Sequence, residues 1–146
     1  MRIAVGSDHA GYELKEHVAD ALREAGHEVV DVGTESEEST DYPLFAEPAA
    51  RMVADGEAER GVLVCGSGVG VNIVANKVRG IRSVNAHDVG EAQMARRHND
   101  VNVLALSGRR LTPEVADAIV GSFLETGFEG GRHERRVELI DEVEKR

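Results

Sequence analysis

Five short β-rich runs alternate along the chain with segments of helical periodicity, and this alternation restricts the fold more than any other feature. The runs read RIAVGS, HEVVDVG, GVLVCG, IRSVNA and VNVLALSG. Apolar residues at helical spacing occur between them and after the last one. Strands that are joined through helices form a parallel sheet with helices on both faces. The sequence therefore predicts an α/β fold, a three-layer α/β/α sandwich around a five-stranded parallel sheet, formed as one domain over residues 1–146.

Composition and charge narrow the classes of function. The net charge of −10 argues against a nucleic-acid surface, because such a surface needs a basic face. No apolar run approaches the ~18 residues of a membrane span, and the N-terminal residues lack a signal-peptide pattern. The single cysteine cannot form an internal disulfide, which is typical of a reducing compartment. We therefore expect a cytoplasmic protein that binds neither nucleic acid nor membrane.

A ligand is expected in the loops that follow the strands, because open parallel sheets bind ligands beyond the carboxyl ends of their strands. One of these loops, CGSGVG, places Gly66, Gly68 and Gly70 between a strand and a helix. Backbone N–H groups in such a loop converge beside a helix N-terminus and bind anions. The spacing fits neither a P-loop nor the dinucleotide fingerprint GxGxxG. A tight turn with a buried structural cysteine remains the alternative.

The chemistry of Cys65 favours a catalytic role for this loop. A helix N-terminus stabilises the thiolate form of a cysteine, which can then act as a base. Converging amide donors, with the hydroxyl of Ser67, can hold a developing negative charge. Aldose–ketose isomerisation by proton transfer needs both a base and an oxyanion site. The loop is therefore a candidate for that chemistry.

Two further loops carry polar residues that proton transfer could use. Asp8 and His9 follow the first strand, although Asp8 could instead cap the next helix and His9 could be an exposed loop residue. His98 and Asn99 precede the fifth strand; a histidine moves protons at neutral pH and an asparagine donates hydrogen bonds. Both types also occur at helix ends for structural reasons, so these roles stay open.

The last helix begins with a group of cations in the segment GGRHERR. Arg132 and Arg136 are one helical turn apart, so both guanidinium groups can converge on one phosphate, with His133 beside them. Cations at a helix N-terminus oppose its dipole, which favours an anionic ligand. The alternative is that Glu134 and Glu138 neutralise the arginines. No set of His, Asp and Glu residues has a spacing typical of a metal site.

In combination, these segments resemble one family, the type B ribose-5-phosphate isomerases, within the group that also contains galactose-6-phosphate isomerase subunits. The resemblance extends over essentially the whole chain. It rests on six segments in this order: SDHAGYELK, DYP, CGSGVGVNIVANK, GIR, RRHNDVNVLALSGR and GGRHERRVELI. It implies a Rossmann-like sheet and a C-terminal helix that is used for dimerisation.

The resemblance also implies an activity and its catalytic residues. The activity is a metal-free and cofactor-free interconversion of D-ribose 5-phosphate and D-ribulose 5-phosphate through a cis-enediolate, in the non-oxidative pentose phosphate pathway. Cys65 would be the base that moves the proton between C2 and C1. His98 would help to open the sugar ring, and Asp8 would act with the sugar hydroxyls. The anion hole would consist of Gly66, Ser67, Gly68, Gly70 and Asn99.

The substrate-binding residues follow from the same resemblance. Tyr42 would lie against the sugar. The phosphate would be held by His9, Arg109, Arg132, His133 and Arg136. One branch of the family has a serine in place of Cys65 and a glutamate in place of Val71, so this chain resembles the cysteine branch.

The family forms dimers or dimers of dimers with shared sites, so the resemblance implies a homodimer or homotetramer. The basic last helix would then reach into a neighbour's crevice. Allose 6-phosphate, galactose 6-phosphate and erythrose 4-phosphate remain alternative substrates, although His98 and Asn99 favour the pentose type. A sugar-phosphate-binding module without catalysis remains an alternative function.

Overall fold

The computed structural model describes residues 1–146 and contains five strands and six helices. The strands are β1 (Arg2–Ser7), β2 (Glu28–Asp31), β3 (Arg60–Cys65), β4 (Ser83–Asn85) and β5 (Val103–Ser107). The helices are α1 (Tyr12–Glu24), α2 (Pro43–Ala54), α3 (Val69–Asn76), α4 (Val89–Asn99), α5 (Pro113–Glu125) and α6 (Arg132–Val143). The predicted strands and helices are all present, and the ends of each strand lie within two residues of the ends of the predicted run.

All strands are parallel, and their order in the sheet is β2-β1-β3-β5-β4. One apolar cluster joins the sheet to α1, α4 and α5. A second cluster joins the opposite face to α2 and α3. The predicted three-layer α/β/α sandwich is therefore confirmed. None of the helices combines the length and the apolar character needed to cross a bilayer.

The helix α6 lies near the amino ends of the strands, away from their carboxyl ends, where ligands are expected. Arg82, directly before β4, binds Asp141 of α6 with an Nη1–Oδ1 distance of 3.2 Å. The amide of Gly80 donates to the carboxylate of Glu144 over 3.0 Å. The residues that precede β4 therefore hold the last helix near the starts of the strands, which decides where its arginines lie.

Candidate active site

A cleft of about 370 Å³ opens at the carboxyl ends of the strands, beside the ends of β1, β3 and β5. The loop after each of these strands contributes to it, and Tyr42 before α2 forms one wall. Its lining contains Asp8, His9, Ala10, Tyr42, Cys65, Gly66, Ser67, Val69, Gly70, Ile73 and Arg109. The fold thus gathers eight of the residues that the sequence singled out.

Cys65 ends β3 and is buried, with its sulfur at the base of the cleft. The amide of Gly68 donates to Cys65 Sγ over 3.2 Å. Gly68 is the residue before α3 and has a φ of +81°, a conformation that L side chains rarely adopt. A hydrogen bond from a helix-start amide stabilises negative charge on sulfur, so the local geometry expected for a thiolate base is present.

The remaining amides of the CGSGVG loop divide into two groups. The amide of Val69 donates to Ser67 Oγ over 3.2 Å, so that donor is used within the loop. The amides of Ser67 and Gly70 have no partner within the chain. Gly70 lies in the first turn of α3, where N–H groups have no helical acceptor. These amides are available to an oxyanion beside the thiol.

Side chains pack directly on two glycines of the loop. A Cβ atom at Gly66 would lie 3.0 Å from Arg109 Cζ. A Cβ atom at Gly70 would lie 2.6 Å from the Tyr42 ring. The Arg109 amide also donates to the Gly66 carbonyl over 3.1 Å. The absence of side chains therefore lets a cation and an aromatic ring approach the anion-binding loop.

Asp8 and His9 both line the cleft, and each also has a structural contact. The buried Asp8 accepts a hydrogen bond from the Gly11 amide on Oδ1 over 3.0 Å, which is the helix-start contact considered as its alternative role. Its Oδ2 atom has no partner within the chain. His9 contacts Thr40, a residue that the sequence did not single out. Both residues keep one polar atom free for a ligand.

Asn85, at the end of β4, supports the loop from the neighbouring strand. Its Nδ2 atom donates to the Ser67 carbonyl over 3.3 Å. Its Oδ1 atom is buried without a partner and lies against Gly68. No role is predicted for Asn85 from the sequence, because its contact reaches across the end of β5, which lies between β3 and β4 in the sheet.

The other predicted residues form a second group at the amino edge of the sheet, outside the cleft. The helix α4 runs back from the carboxyl edge, so its last turn places His98 beside α6. The rings of His98 and His133 stack with a centroid distance of 4.2 Å. Glu129 Oε1 lies 3.6 Å from Nε2 of both histidines. We call His98, Glu129, Arg132, His133 and Arg136 the cation cluster.

The arginines of the cation cluster have no acidic partner. Neither Arg132 nor Arg136 forms an ion pair within the chain, so Glu134 and Glu138 do not neutralise them in the way considered from the sequence. Arg132 Nε approaches His133 Nε2 to 3.5 Å. Burial, followed by the positive charges of His98 and Arg132, lowers the pKa of His133 below its usual value. The two arginines of the cluster are therefore unpaired, and the lowered pKa of His133 favours its neutral form.

The cation cluster also holds the residues that could bind a metal ion, which the sequence spacing did not indicate. The ligand atoms of His98, Glu129 and His133 all lie within 4.8 Å of one another. The two imidazole planes differ by only 14°. Since the nitrogen lone pairs lie in these planes, they run side by side and do not converge on one point. A shared ion would require one ring to rotate.

Asn99 is separated from the cleft within one chain. It lines a groove of about 430 Å³ beside β4 and α6, and its carbonyl accepts a hydrogen bond from Arg82 Nε over 3.0 Å. The predicted site residues therefore fall into two groups, one at the carboxyl ends of the strands and one at their amino ends. Asp8, His9, Tyr42, Arg109 and the CGSGVG loop form the cleft, whereas Asn99 accompanies the cation cluster.

Comparison with known proteins places this arrangement in a family. The family model described as Ribose/Galactose Isomerase matches residues 3–140. The chain is 48% identical to ribose-5-phosphate isomerase B of Escherichia coli (strain K12), over 99% of this chain and 97% of that protein. It is 42% identical to D-erythrulose-4-phosphate isomerase of Pectobacterium atrosepticum, over 96% of this chain and 93% of that protein.

A solved structure of ribose-5-phosphate isomerase B from Clostridium thermocellum superimposes with a TM-score of 0.98 and 48% identity. The match covers 99% of this chain and 98% of that structure. The fold is thus that of a family of isomerases. The chain belongs to the ribose/galactose isomerase family, and the resemblance to type B ribose-5-phosphate isomerases that was stated from the motifs is confirmed.

Proposed function

We propose that this isomerase interconverts D-ribose 5-phosphate and D-ribulose 5-phosphate by proton transfer through a cis-enediolate. The observation that carries the proposal is the contact between Cys65 Sγ and the Gly68 amide, at the base of a cleft with free amides beside it. The relatives named for ribose 5-phosphate support the choice of substrate. The isomerase family favours catalysis over a binding module without chemistry.

The steps balance with the groups that the cleft provides. The Cys65 thiolate removes the proton from C2 of the open-chain aldose, and the released electron pair forms the C1–C2 double bond. Negative charge develops on O1, where the amides of Ser67 and Gly70 can stabilise it. The thiol then returns the proton to C1, while the O2 proton moves to O1 and the ketone forms at C2. No electron acceptor or co-reactant is needed.

The position of the cation cluster supports a site that is completed by a second copy of the chain. The cleft contains one arginine, Arg109, whereas Arg132 and Arg136 lie at the far edge of the same protomer. A phosphate prefers several converging donors. In a dimer, the start of α6 would bring its arginines, and the end of α4 would bring His98, to the cleft of the other protomer. His98 would then assist ring opening and Asn99 would join the anion hole.

A second substrate class has an observation in its favour. The relative from Pectobacterium atrosepticum is named for a four-carbon sugar phosphate and is nearly as similar over nearly the whole chain. Erythrose 4-phosphate would undergo the same proton transfer in the same cleft.

Isotope exchange tests the chemistry, and a substrate series tests the choice of sugar. The enzyme in heavy water should incorporate deuterium at the transferred position of ribose 5-phosphate, and Cys65→Ala should abolish that exchange while still binding the sugar phosphate. Comparison of kcat/KM for four-, five- and six-carbon aldose phosphates should favour the five-carbon sugar. A higher value for erythrose 4-phosphate would reassign the substrate without changing the mechanism. Full exchange by Cys65→Ala would overturn the mechanism itself.

A further inference from the structure

His9 and Thr40 are held together by two hydrogen bonds that run in opposite directions. The His9 amide donates to Thr40 Oγ1 over 3.2 Å. The Thr40 amide donates to His9 Nδ1 over 3.1 Å. The two residues are 31 positions apart in sequence and belong to different loops at the carboxyl edge of the sheet. Two reciprocal bonds fix both the position and the rotation of the imidazole ring.

The direction of the second bond determines where the His9 ring carries its proton. A backbone N–H group can only donate, so Nδ1 must accept and cannot itself bear a hydrogen. The proton of the ring is therefore on Nε2. Nε2 has no partner within the chain, and His9 lines the cleft. The ring thus offers a single N–H donor to a ligand oxygen.

We propose that Thr40 is a positioning residue that holds His9 in the Nε2–H tautomer and directs this donor at an oxygen of the bound sugar phosphate. The recipient oxygen rests on the function proposed above, whereas the tautomer does not. Because a neutral N–H donor needs no counter-ion, it can bind the phosphate without adding a further charge to the cleft. Thr40 itself touches neither the thiol nor the reacting carbons.

The loop that carries Thr40 is anchored firmly enough to act in this way. At its start, the Thr34 amide donates to the Ser7 carbonyl over 2.8 Å. The buried Lys15 ammonium donates to the Thr34 carbonyl over 2.7 Å and to Asp31 Oδ2 over 2.8 Å. At its other end the loop leads into Tyr42, which packs on Gly70. The segment between Thr34 and Tyr42 is therefore fixed at both ends.

The charge of Lys15 is secure in this position. Burial alone lowers the pKa of a lysine, but the hydrogen bonds and negative charges of Asp31 and Glu16 outweigh it and raise the pKa of Lys15. The ammonium therefore remains charged at neutral pH and keeps its hold on the loop. The sequence gives no sign of this role, because a lysine in an amphipathic helix is usually exposed.

The direct test is the nitrogen NMR spectrum of the His9 ring in the ligand-free wild-type enzyme. The signals are assigned by their loss in His9→Gln. The expected result at neutral pH is the pattern of the Nε2–H tautomer, with Nδ1 unprotonated. A ring that carries its proton on Nδ1, or that populates both tautomers equally, would overturn the proposal. This readout does not depend on turnover, so it fails separately from the isomerase assignment, which fails if ribose 5-phosphate is not converted.

Three variants separate the tautomer from general support of the loop. Thr40→Val removes only the hydroxyl acceptor, so we expect the Nε2–H tautomer to persist and KM for ribose 5-phosphate to rise by about threefold. Thr40→Pro also removes the donor to Nδ1, so we expect mixed tautomers and a KM about tenfold above that of wild type, with kcat changed less. Thr40→Ser keeps both the hydroxyl and the amide, so the His9 tautomer and KM should be as in wild type. If Thr40→Pro does not fold, the wild-type spectrum and the contrast between Thr40→Val and Thr40→Ser decide.

Ser36 provides the matched control on the same loop. Its hydroxyl accepts a bond from the Glu38 amide and is exposed, away from His9. Ser36→Ala should therefore leave the His9 tautomer and KM as in wild type. An equal effect of Ser36→Ala and Thr40→Val on KM would show that loop stiffness, and not the contact with His9, matters, and would refute the proposal.

Discussion

The cleft and the cation cluster are built in opposite ways. Backbone atoms shape the cleft: strand ends, a left-handed glycine and helix-start amides surround Cys65. Side chains form the cation cluster, where a histidine pair stacks beside arginines that have no acidic partner. The first region can take up a proton and hold an oxyanion, whereas the second can hold a phosphate. The cleft holds only one arginine, Arg109, so the two regions supply different groups.

This difference also indicates how each region should respond to substitution. Backbone donors survive most side-chain changes, so the cleft depends chiefly on one replaceable group, the thiol of Cys65. The cation cluster depends on several charges that act together, and each contributes part of the free energy of phosphate binding. Loss of the thiol should therefore affect kcat, and loss of an arginine should affect KM.

Cys65→Ala should have the largest effect on activity. Removal of a general base lowers the rate by about 10²–10⁴-fold. Cys65→Ser keeps a hydrogen-bond acceptor for the Gly68 amide, but an alcohol forms its anion far less readily, so we expect a similar loss. The measurement is kcat for ribose 5-phosphate, with the melting temperature as the check on folding. A variant that keeps more than a tenth of the wild-type kcat would show that the thiol is not the base.

Arg136→Ala should raise KM by about 10–100-fold with a smaller change in kcat, because a charge-assisted hydrogen bond to phosphate is lost. Arg135→Ala is the matched control, because it removes the same charge from the preceding position of α6, which lies on a different side of the helix. Steady-state kinetics of both variants give the answer. Equal effects would mean that the field of the whole helix, and not a specific contact, attracts the substrate.

Arg82→Met should weaken the support of the cation cluster. The Arg82 guanidinium binds Asp141 of α6 and the carbonyls of Asn99 and Asp100, and its side chain is mostly buried. Loss of these bonds should lower the free energy of unfolding by about 2 kcal/mol, as measured by denaturant titration.

The exposed Arg79 makes no side-chain contact of this kind, so Arg79→Met is the control and should be within about 0.5 kcal/mol of wild type. A loss as large in Arg79→Met as in Arg82→Met would assign the effect to charge alone.

The smallest expected effect concerns pH. The pKa of His133 is lowered, so the folded chain binds fewer protons than the unfolded chain just below the ordinary histidine value of 6.5. Stability should therefore fall as the pH falls through that value, until the lowered pKa is passed. His133→Gln should make the melting temperature less dependent on pH in this range. The same pH dependence in both proteins would contradict this assignment.

The alternation of strands and helices was sufficient to predict the layers of the fold and the edge at which the cleft opens. The position of Cys65 followed from the same reasoning, since a strand, a glycine loop and a helix must bring amides to that point. Local sequence also predicted the cations at the start of α6. These features depend on residues that are near one another in the chain.

Contacts between distant segments could not be predicted in this way. Asn85 reaches the Ser67 carbonyl across the end of β5, which lies between β3 and β4. Thr40 reaches His9 only because two loops end at the same edge. Lys15 and Arg82 resemble ordinary surface charges until the fold encloses them. Their signals depend on three-dimensional partners, which periodicity and spacing do not encode.

The most direct test of the shared site is complementation between two variants that are impaired in different regions. Cys65→Ala lacks the base of the cleft, and Arg136→Ala lacks a phosphate contact of the cation cluster. If two protomers share each site, one site of a mixed dimer has both groups intact. Equal amounts that are unfolded and refolded together should then recover about a quarter of the wild-type activity at substrate concentrations too low for Arg136→Ala alone. A mixture no more active than the average of its two components would contradict the shared site.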